Sequence, residues 1–281
     1  MCEFCLKHGE GEKWYLQARN YSEDMLSDIR RRTYIKNFLS DTDGMAKKKR
    51  LIDYLDNIPR FIKEMFGWII TKQMKKTHFG QVVPLEEVER IFGFVNSIVR
   101  VACLCRHVSF GKEKRYCYGI SLGPDGGMLA DIFRGLGNDF LGGANTAGLE
   151  TLTKKEAIAA FRAHEKEGLC HTVWTLQTPF IGGICNCDLS GCLAMRLSVK
   201  HAIPIMFRGE YVAQIVPKRC TGCGKCVSAC QFGAIRQTPH KQVLINPLKC
   251  YGCGICRAFC NQGAVKLEER INVKAAANLW T

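Results

Sequence analysis

The residues of this 281-residue chain that are best suited to chemistry are its 17 cysteines. Eight of them form a C-x₂-C-x₂-C-x₃-C pattern that occurs twice near the C-terminus, thirty residues apart. The eight are Cys220, Cys223, Cys226, Cys230, Cys250, Cys253, Cys256 and Cys260. Three closely spaced thiolates can surround three corners of an inorganic cube only if the backbone turns tightly, and the glycines between them permit such turns. The pattern therefore predicts iron–sulfur ligation.

In this type of spacing the fourth cysteine of each repeat binds the cluster of the other repeat. One [4Fe–4S] cluster is then expected on Cys220, Cys223, Cys226 and Cys260, and the other on Cys250, Cys253, Cys256 and Cys230. We expect each fourth cysteine to begin a short helix. Structural zinc is the alternative, but zinc sites commonly use paired C-x₂-C elements. Metal binding would supply folding free energy to a segment with little apolar core.

On these residues the segment 218–268 resembles bacterial-type ferredoxins with two [4Fe–4S] clusters. The resemblance implies a ferredoxin-like fold and transfer of single electrons. One departure is visible, because the residue after the fourth cysteine is usually proline in that family and here is Gln231 or Asn261. This departure changes the start of the following segment and removes no ligand.

Six further cysteines form two groups in the middle of the chain, each a C-x-C followed by a third cysteine. They are Cys103, Cys105, Cys117, Cys185, Cys187 and Cys192. If each C-x-C lies on a strand, its two thiols point to the same face. Two such strands side by side would bring four thiolates together, with two more in reach. This predicts a third iron–sulfur centre, a zinc site or a six-thiol site for a larger cluster. Buried, unligated thiols are the alternative.

The middle region also carries three short motifs that surround these cysteines. They are Cys103-Leu-Cys-Arg106, Gly168-Leu-Cys-His171 and Ile184-Cys-Asn-Cys187. With them the whole chain resembles a poorly characterised group of ferredoxin-fused proteins from anaerobes. The resemblance implies a place in anaerobic redox metabolism and assigns no reaction. At the N-terminus, Cys2 and Cys5 with His8 offer three zinc ligands or a pair that serves the neighbouring domain, and the sequence does not decide their role.

The hydrophobic patterning predicts an α+β protein in three parts. Residues 1–98 read as a helical region, with a helix after Pro84. Residues 99–217 read as a mixed α/β domain that contains the second set of cysteines. Residues 218–281 form a small ferredoxin-like domain. We expect strands at 100–105, 116–122, 170–176, 180–185 and 211–216.

The net charge of +14 is unevenly distributed, since residues 218–281 hold ten basic and two acidic side chains. Basic side chains offset the negative charge of iron–thiolate clusters and can attract an acidic protein partner. The expected partner is a redox protein that is acidic or contains flavin or iron–sulfur groups. Nucleic acid is not expected, because no nucleic-acid fold motif is visible. No apolar run reaches the length of a membrane span and no secretory signal is seen, so the cytoplasm is the expected location.

Three functions are open at this point. The first is an iron–sulfur electron-transfer protein that passes single electrons to a partner or to a further cysteine-bound centre in the middle domain. The second is an iron–sulfur oxidoreductase with its active site at the middle cysteines. The third is a cluster-based redox sensor or scaffold. The sequence identifies no catalytic residue.

Overall fold

The computed structural model describes residues 12–111, 114–136 and 149–280. The α-helices are α1 Ile29–Ser40, α2 Thr42–Tyr54, α3 Arg60–Thr77, α4 Leu85–Phe94, α5 Leu104–Phe110, α6 Gly127–Arg134, α7 Lys154–Lys166, α8 Leu193–Met195, α9 Lys225–Ser228 and α10 Ile255–Ala258. The strands are β1 Gly80–Val83, β2 Ser97–Val101, β3 Cys117–Ser121, β4 Glu150–Leu152, β5 Cys170–Thr175, β6 Ile181–Cys187, β7 Met206–Phe207, β8 Tyr211–Ile215, β9 Ile235–Gln237, β10 Val243–Ile245 and β11 Val265–Glu269.

The centre of the molecule is a seven-stranded mixed sheet with the strand order β4-β2-β3-β6-β5-β1-β7. All of its strand pairs are antiparallel except the pair of β1 and β7. In this register Cys117 on β3 lies opposite Cys185 on β6, and Cys170 on β5 lies opposite Cys187. The sheet with its surrounding helices confirms the α+β prediction.

Helices cover both faces of this sheet. Ile98 of β2 packs in one apolar core with α4 and α7, whereas the next residue, Val99, packs in a second core with α1, α2 and α6. This alternation is the two-residue period of a strand buried on both sides. The second core borders the cysteines of the middle region, so helices from the first eighty residues cover that part of the sheet.

The expectation that the first hundred residues are helical is wrong at residues 80–83. Gly80–Val83 form β1, which pairs with β5 inside the central sheet. Its four residues, which include the polar Gln81, are all buried, and so short a segment without alternation between apolar and polar residues does not distinguish a buried strand from a helix. The helix predicted after Pro84 is present as α4. The domain boundary at residue 98 stays a prediction.

Residues 218–281, the C-terminal module, add two small antiparallel sheets. Strand β9 pairs with β10, and β11 pairs with β8. The strand expected at 211–216 is thus present, but it pairs with the C-terminal module rather than with the central sheet. Arg270 holds this junction together, since its buried guanidinium donates to the carbonyl oxygens of Gly209, Tyr211 and Cys250.

Within the described residues, none of the helices combines the length and the apolar character required to cross a membrane.

A buried carboxyl group at the same junction predicts a pH dependence of stability. Glu210 accepts a hydrogen bond of 2.9 Å from Gln81, and burial raises its pKa to about 7, with Lys13 and Arg270 opposing the shift and Glu87 adding to it. The folded protein therefore keeps a proton that the unfolded chain loses near its ordinary pKa of about 4.5. We expect the free energy of unfolding to fall, by at most about 3 kcal/mol, as the pH rises from about 4.5 to about 7.

Chemical denaturation at a series of pH values measures this effect. The Glu210→Gln variant should show a shallower fall than the wild type, and Asp43→Asn, which changes an exposed carboxylate, should not. If the free energy of unfolding of Glu210→Gln falls with pH as steeply as that of the wild type, Glu210 has the same pKa in the folded and the unfolded protein. The prediction is then wrong.

Candidate metal centres

The eight C-terminal cysteines surround two separate cavities. The outer cavity is lined by Cys220, Cys223, Cys226 and Cys260. The inner cavity is lined by Cys230, Cys250, Cys253 and Cys256. Each cavity thus takes three cysteines from one repeat and the fourth from the other, which is the grouping expected from the spacing.

Glycines allow the chain to turn around each cavity. Gly222 has φ +67° and Gly252 has φ +72°, both in the left-handed region that favours glycine. A Cβ atom would stand 2.2 Å from the carbonyl oxygen of Lys241 at the first position and 2.1 Å from that of Tyr211 at the second. Neither position can accept a side chain, and both loops keep the close approach that a cluster requires.

Backbone N–H groups point at the sulfur atoms. Ala234 donates to Cys230 Sγ at 3.4 Å, and Ala264 donates to Cys260 Sγ at 3.3 Å, so the repeat preserves this bond. Hydrogen bonds to the charged form favour thiolates. A backbone hydrogen bond from Lys225, followed by smaller effects that include its ammonium charge, lowers the pKa of the exposed Cys223. These donors suit a bound iron–sulfur core, whose sulfur ligands are thiolates.

One local expectation is wrong. Cys230 and Cys260 follow the short helices α9 and α10 rather than begin new ones, and each helix instead contains the third cysteine of its repeat, Cys226 or Cys256. A helix after the fourth cysteine would aim its N–H groups at the sulfur atom. Here a turn follows instead, and the backbone N–H group four residues after the cysteine donates to the sulfur atom.

Gln231, the residue that replaces the usual proline, joins the C-terminal module to the segments next to β5 and β6 of the central sheet. Its side-chain oxygen accepts from the backbone N–H of Leu189 at 2.6 Å, and its amide nitrogen donates to the carbonyl of Gly168 at 2.5 Å. Leu189 follows Cys187 by two residues. On the other repeat Asn261 is exposed. The two departures from the ferredoxin pattern therefore differ in role, which the sequence did not reveal.

We expect Gln231→Ala to destabilise the attachment of the C-terminal module, since both backbone groups would lose a partner. The cost should be about 1–3 kcal/mol, seen as faster proteolysis between the two parts or a lower Tm. Asn261→Ala at the equivalent exposed position is the matched control and should change stability by less than about 0.5 kcal/mol. Equal behaviour of the two variants would contradict a joining role for Gln231.

The six middle cysteines all line one further cavity, the six-thiol cavity. These residues are Cys103, Cys105, Cys117, Cys185, Cys187 and Cys192. Its volume is about 120 Å³, against about 20 Å³ for each of the C-terminal cavities. The rest of the wall is mostly apolar and includes Leu104, Phe133 and Leu176.

The secondary structure around this cavity differs from the sequence expectation in one half. Cys185 and Cys187 lie on strand β6 as expected, and Cys117 on β3 contacts Cys185 with 3.2 Å between the sulfur atoms. Cys103 and Cys105 do not share a strand, because β2 ends at Val101 and Cys103 precedes α5 as its N-cap. The helix turns both thiols toward the same cavity, so these six cysteines meet although the predicted strand is wrong.

Burial and contacts between neighbouring thiols determine the protonation of the six-thiol cavity. Hydrogen bonds to other thiols and burial raise the pKa of Cys103 and Cys105. A hydrogen bond with Cys192 lowers the pKa of Cys187, but burial and neighbouring thiols raise it to about 11. So many buried thiols ionise together only if a positive group compensates their charge. An iron–sulfur core or a metal supplies such charge and displaces the protons.

Arg106 is a fixed cation at the same wall. It is buried, forms an ion pair with Asp188, and lies 4.4 Å from the centre of the Tyr116 ring. Burial opposes its charge, but Asp188 and the thiols Cys103 and Cys187 raise its pKa. The structure places Arg106 in the wall of the cavity, where its charge would favour any thiolate that forms there.

His78 is a residue of the six-thiol cavity that the sequence analysis missed. Its Nδ1 lies 2.6 Å from the carbonyl oxygen of Thr175, its ring stacks on Trp174, and burial lowers its pKa to about 4. Because a carbonyl only accepts, Nδ1 carries the proton and Nε2 has a lone pair. His78 directly follows α3, about a hundred residues from Cys185, and no spacing could have indicated it.

The inner cavity and the six-thiol cavity border one apolar cluster. That cluster contains Cys187 and Cys192 together with Tyr251 and Ile255, and Cys230 and Cys253 pack against it. Cys170 lies between the two sites. Burial is the largest cause of the raised pKa of Cys253, and the nearby Cys170 raises it further. Cys170 also raises the pKa of Cys187. The three cysteine sites therefore form a series, with the inner cavity in the middle.

Cys2, Cys5 and His8 lie outside the described residues. His171 is buried in β5 and hydrogen-bonds Asn186 at 2.6 Å, as a structural histidine does. Among the described residues, no group of three or more His, Cys, Asp or Glu side chains has the arrangement to hold a single metal ion. A cluster spreads its ligands over several metal atoms and does not require that arrangement.

The comparisons with known proteins agree with this geometry at the C-terminus. A family model described as a 4Fe-4S dicluster domain matches residues 219–265. The C-terminal segment is therefore ferredoxin-like, which confirms that resemblance and supports an iron–sulfur electron-transfer role. No curated protein and no solved structure matches the chain.

Proposed function

We propose that this protein transfers single electrons through two [4Fe–4S] clusters of the C-terminal module to a third iron–sulfur centre in the six-thiol cavity. The outer cluster is held by Cys220, Cys223, Cys226 and Cys260, and the inner cluster by Cys230, Cys250, Cys253 and Cys256. The third centre is held by Cys103, Cys105, Cys117, Cys185, Cys187 and Cys192. The observation that carries the proposal is the convergence of these six thiols on one cavity next to the inner cluster site.

The different solvent exposure of the sites supports electron transfer from the surface of the protein inward. Cys223 of the outer site is exposed to solvent, so a redox partner can approach it. Cys253 of the inner site packs instead against the apolar cluster shared with Cys187. Gln231 fixes the module in this position through Leu189 and Gly168. A partner protein of anaerobic metabolism delivers electrons at the outer site. The electrons then pass to the inner cluster and on to the third centre.

The charges around the inner site support the same direction. Cys250 Sγ accepts from the N–H groups of Ala213 at 3.3 Å and Gly252 at 3.4 Å. The guanidinium of Arg270 donates to the carbonyl of the same cysteine. Hydrogen bonds to sulfur and nearby positive charge stabilise the more negative, reduced cluster and raise its potential. These groups would stabilise an electron on the inner cluster, as the proposed transfer from the outer cluster requires.

An anaerobic count of iron and acid-labile sulfide tests the proposal. The C-terminal module alone gives about eight iron atoms per chain, and a third centre gives about twelve or more. EPR of the reduced protein should then show a signal beyond those of two interacting [4Fe–4S]¹⁺ clusters. A count of about eight with no additional signal would restrict the function to a two-cluster carrier, and zinc in place of the additional iron would exclude electron transfer at the third site.

A second function, a reductase with its active site at the third centre, is favoured by one observation. The six-thiol cavity is larger than the two cluster cavities and includes His78 as well as the thiols. An iron atom with an open coordination position binds small exogenous ligands. Cyanide or azide should then change the EPR signal of the third centre and leave the other two signals unchanged, whereas no change would favour electron transfer alone.

A further inference from the structure

Helix α3 exposes large apolar side chains over most of its length. The exposed fractions are 70% for Phe61, 57% for Met65, 52% for Phe66, 62% for Trp68 and 50% for Ile69. Of its eighteen residues only Gly67 is fully buried, against Ile203. A contiguous exposed apolar patch of this kind marks an interaction surface rather than an ordinary scatter of surface residues.

The apolar residues follow the helical period. Phe61, Met65 and Trp68 succeed one another at steps of four and three residues, which places them on one face, and Lys72 follows four residues after Trp68. The ammonium group of Lys72 lies 5.9 Å from the centre of the Trp68 ring. The face therefore ends in a cation that lies over an aromatic ring.

The surroundings of this face are strongly basic. Residues 42–77, which contain α2 and α3, hold nine basic and four acidic side chains and so carry a net charge of +5. The acidic groups are largely engaged within the protein, since Asp53 pairs with Lys49 and Arg196, Asp56 with Lys200, and Glu64 with Arg60. Helix α2 likewise exposes both basic and large apolar side chains. They include Lys47, Arg50, Leu51 and Tyr54, at steps of three, one and three residues.

We propose that α3 holds the protein on an anionic lipid surface, lying in the plane of the membrane with its apolar face in the headgroup region. Exposed aromatic and aliphatic side chains beside lysines are the features of interfacial helices, and tryptophan favours the boundary between headgroups and chains. A second copy of this chain would bring a further surface of charge +5 against the first, and the only acidic residue of α3 is already paired with Arg60. Anionic headgroups instead offer the opposite charge. This proposal is independent of the electron-transfer pathway.

Flotation of the complete, anaerobically prepared protein with lipid vesicles tests the proposal. Vesicles of phosphatidylcholine containing about one third phosphatidylglycerol should bind it at least about tenfold more tightly than phosphatidylcholine alone, and added salt should weaken the binding. The double variant Met65→Ser/Trp68→Ser, which changes two exposed residues of the same face, should lose at least about tenfold in affinity for the anionic vesicles. Leu248→Ser, which removes an exposed leucine of the C-terminal module, is the matched control and should bind as the wild type does.

A charge-reversal pair separates the electrostatic part. Lys72→Glu/Lys76→Glu should weaken binding to anionic vesicles, while Lys155→Glu on α7 should not. The cluster absorbance of every variant shows that it has folded. The proposal is overturned if anionic vesicles do not bind, or if the α3 variants bind as the wild type does. It is also overturned if light scattering shows a dimer that depends on Met65 and Trp68 while vesicles do not bind, since α3 would then be an interface between copies.

Discussion

Replacing Cys187 and Cys192 together with alanine should lower the iron content of the protein from about twelve or more atoms per chain to about eight. Both thiols line the six-thiol cavity, where Cys187 lies beside Thr172 at 3.4 Å and Cys192 accepts from the backbone N–H of Met195 at 3.5 Å. Loss of two adjacent ligands leaves the third centre without an anchor on that side. The EPR signals of the two C-terminal clusters should persist.

Cys170→Ala is the matched control for this experiment. Cys170 is as buried as its neighbours and lies opposite Cys187 in the sheet, but it is not among the residues that line the cavity. Its replacement carries a packing cost similar to that of each single replacement in the double variant and should leave the iron content unchanged. If the double variant keeps the iron content of the wild type, Cys187 and Cys192 hold no cluster, which contradicts a third centre bound by the six thiols.

The second large effect concerns how the eight C-terminal cysteines are paired. Cys230→Ala and Cys253→Ala should each remove one cluster, about four iron atoms. Because both residues line the inner cavity, the double variant should still lose only about four. Cys230→Ala combined with Cys223→Ala should lose about eight, since Cys223 lines the outer cavity.

This comparison is decisive because Cys223 and Cys230 belong to the same repeat. If each repeat held its own cluster, the combination of Cys223 and Cys230 would lose about four iron atoms and the combination of Cys230 and Cys253 about eight. Iron and sulfide counts on anaerobic samples measure the difference. The result does not depend on the third centre, whose iron is common to all variants.

The sequence analysis reached the C-terminal sites and missed much of the rest for one physical reason. Four ligands within eleven residues, with glycines between them, leave the backbone few ways to fold, so the spacing of Cys220 to Cys230 carries geometric information. The prediction was wrong only over a single turn, because a helix was expected to begin at Cys230 and the structure has one that ends just before it. The misread strand at Gly80–Val83 shows the opposite case, because burial on both faces removes the alternation from which a strand is recognised.

For the six-thiol cavity the sequence supplied the residues but not the reason they meet. Strand pairing was expected to bring the two C-x-C pairs together, but of these two pairs only Cys185 and Cys187 lie on a strand. Cys103 and Cys105 reach the cavity from the start of a helix. His78 and Arg106 join the same wall through contacts that depend on the register of β1, β5 and β6.

What the sequence determined by itself was the α+β class and the ferredoxin-like segment, because local spacing and composition decide these properties. The division of its eight C-terminal cysteines into two sets of four rests on the same spacing and stays a prediction. Only the tertiary structure decided that a third set of thiols lies next to the inner one, that Gln231 joins the two parts, and that α3 has no protein covering its apolar face in the described part of the chain. These properties depend on packing between residues far apart in sequence, whose contacts no spacing along the chain specifies.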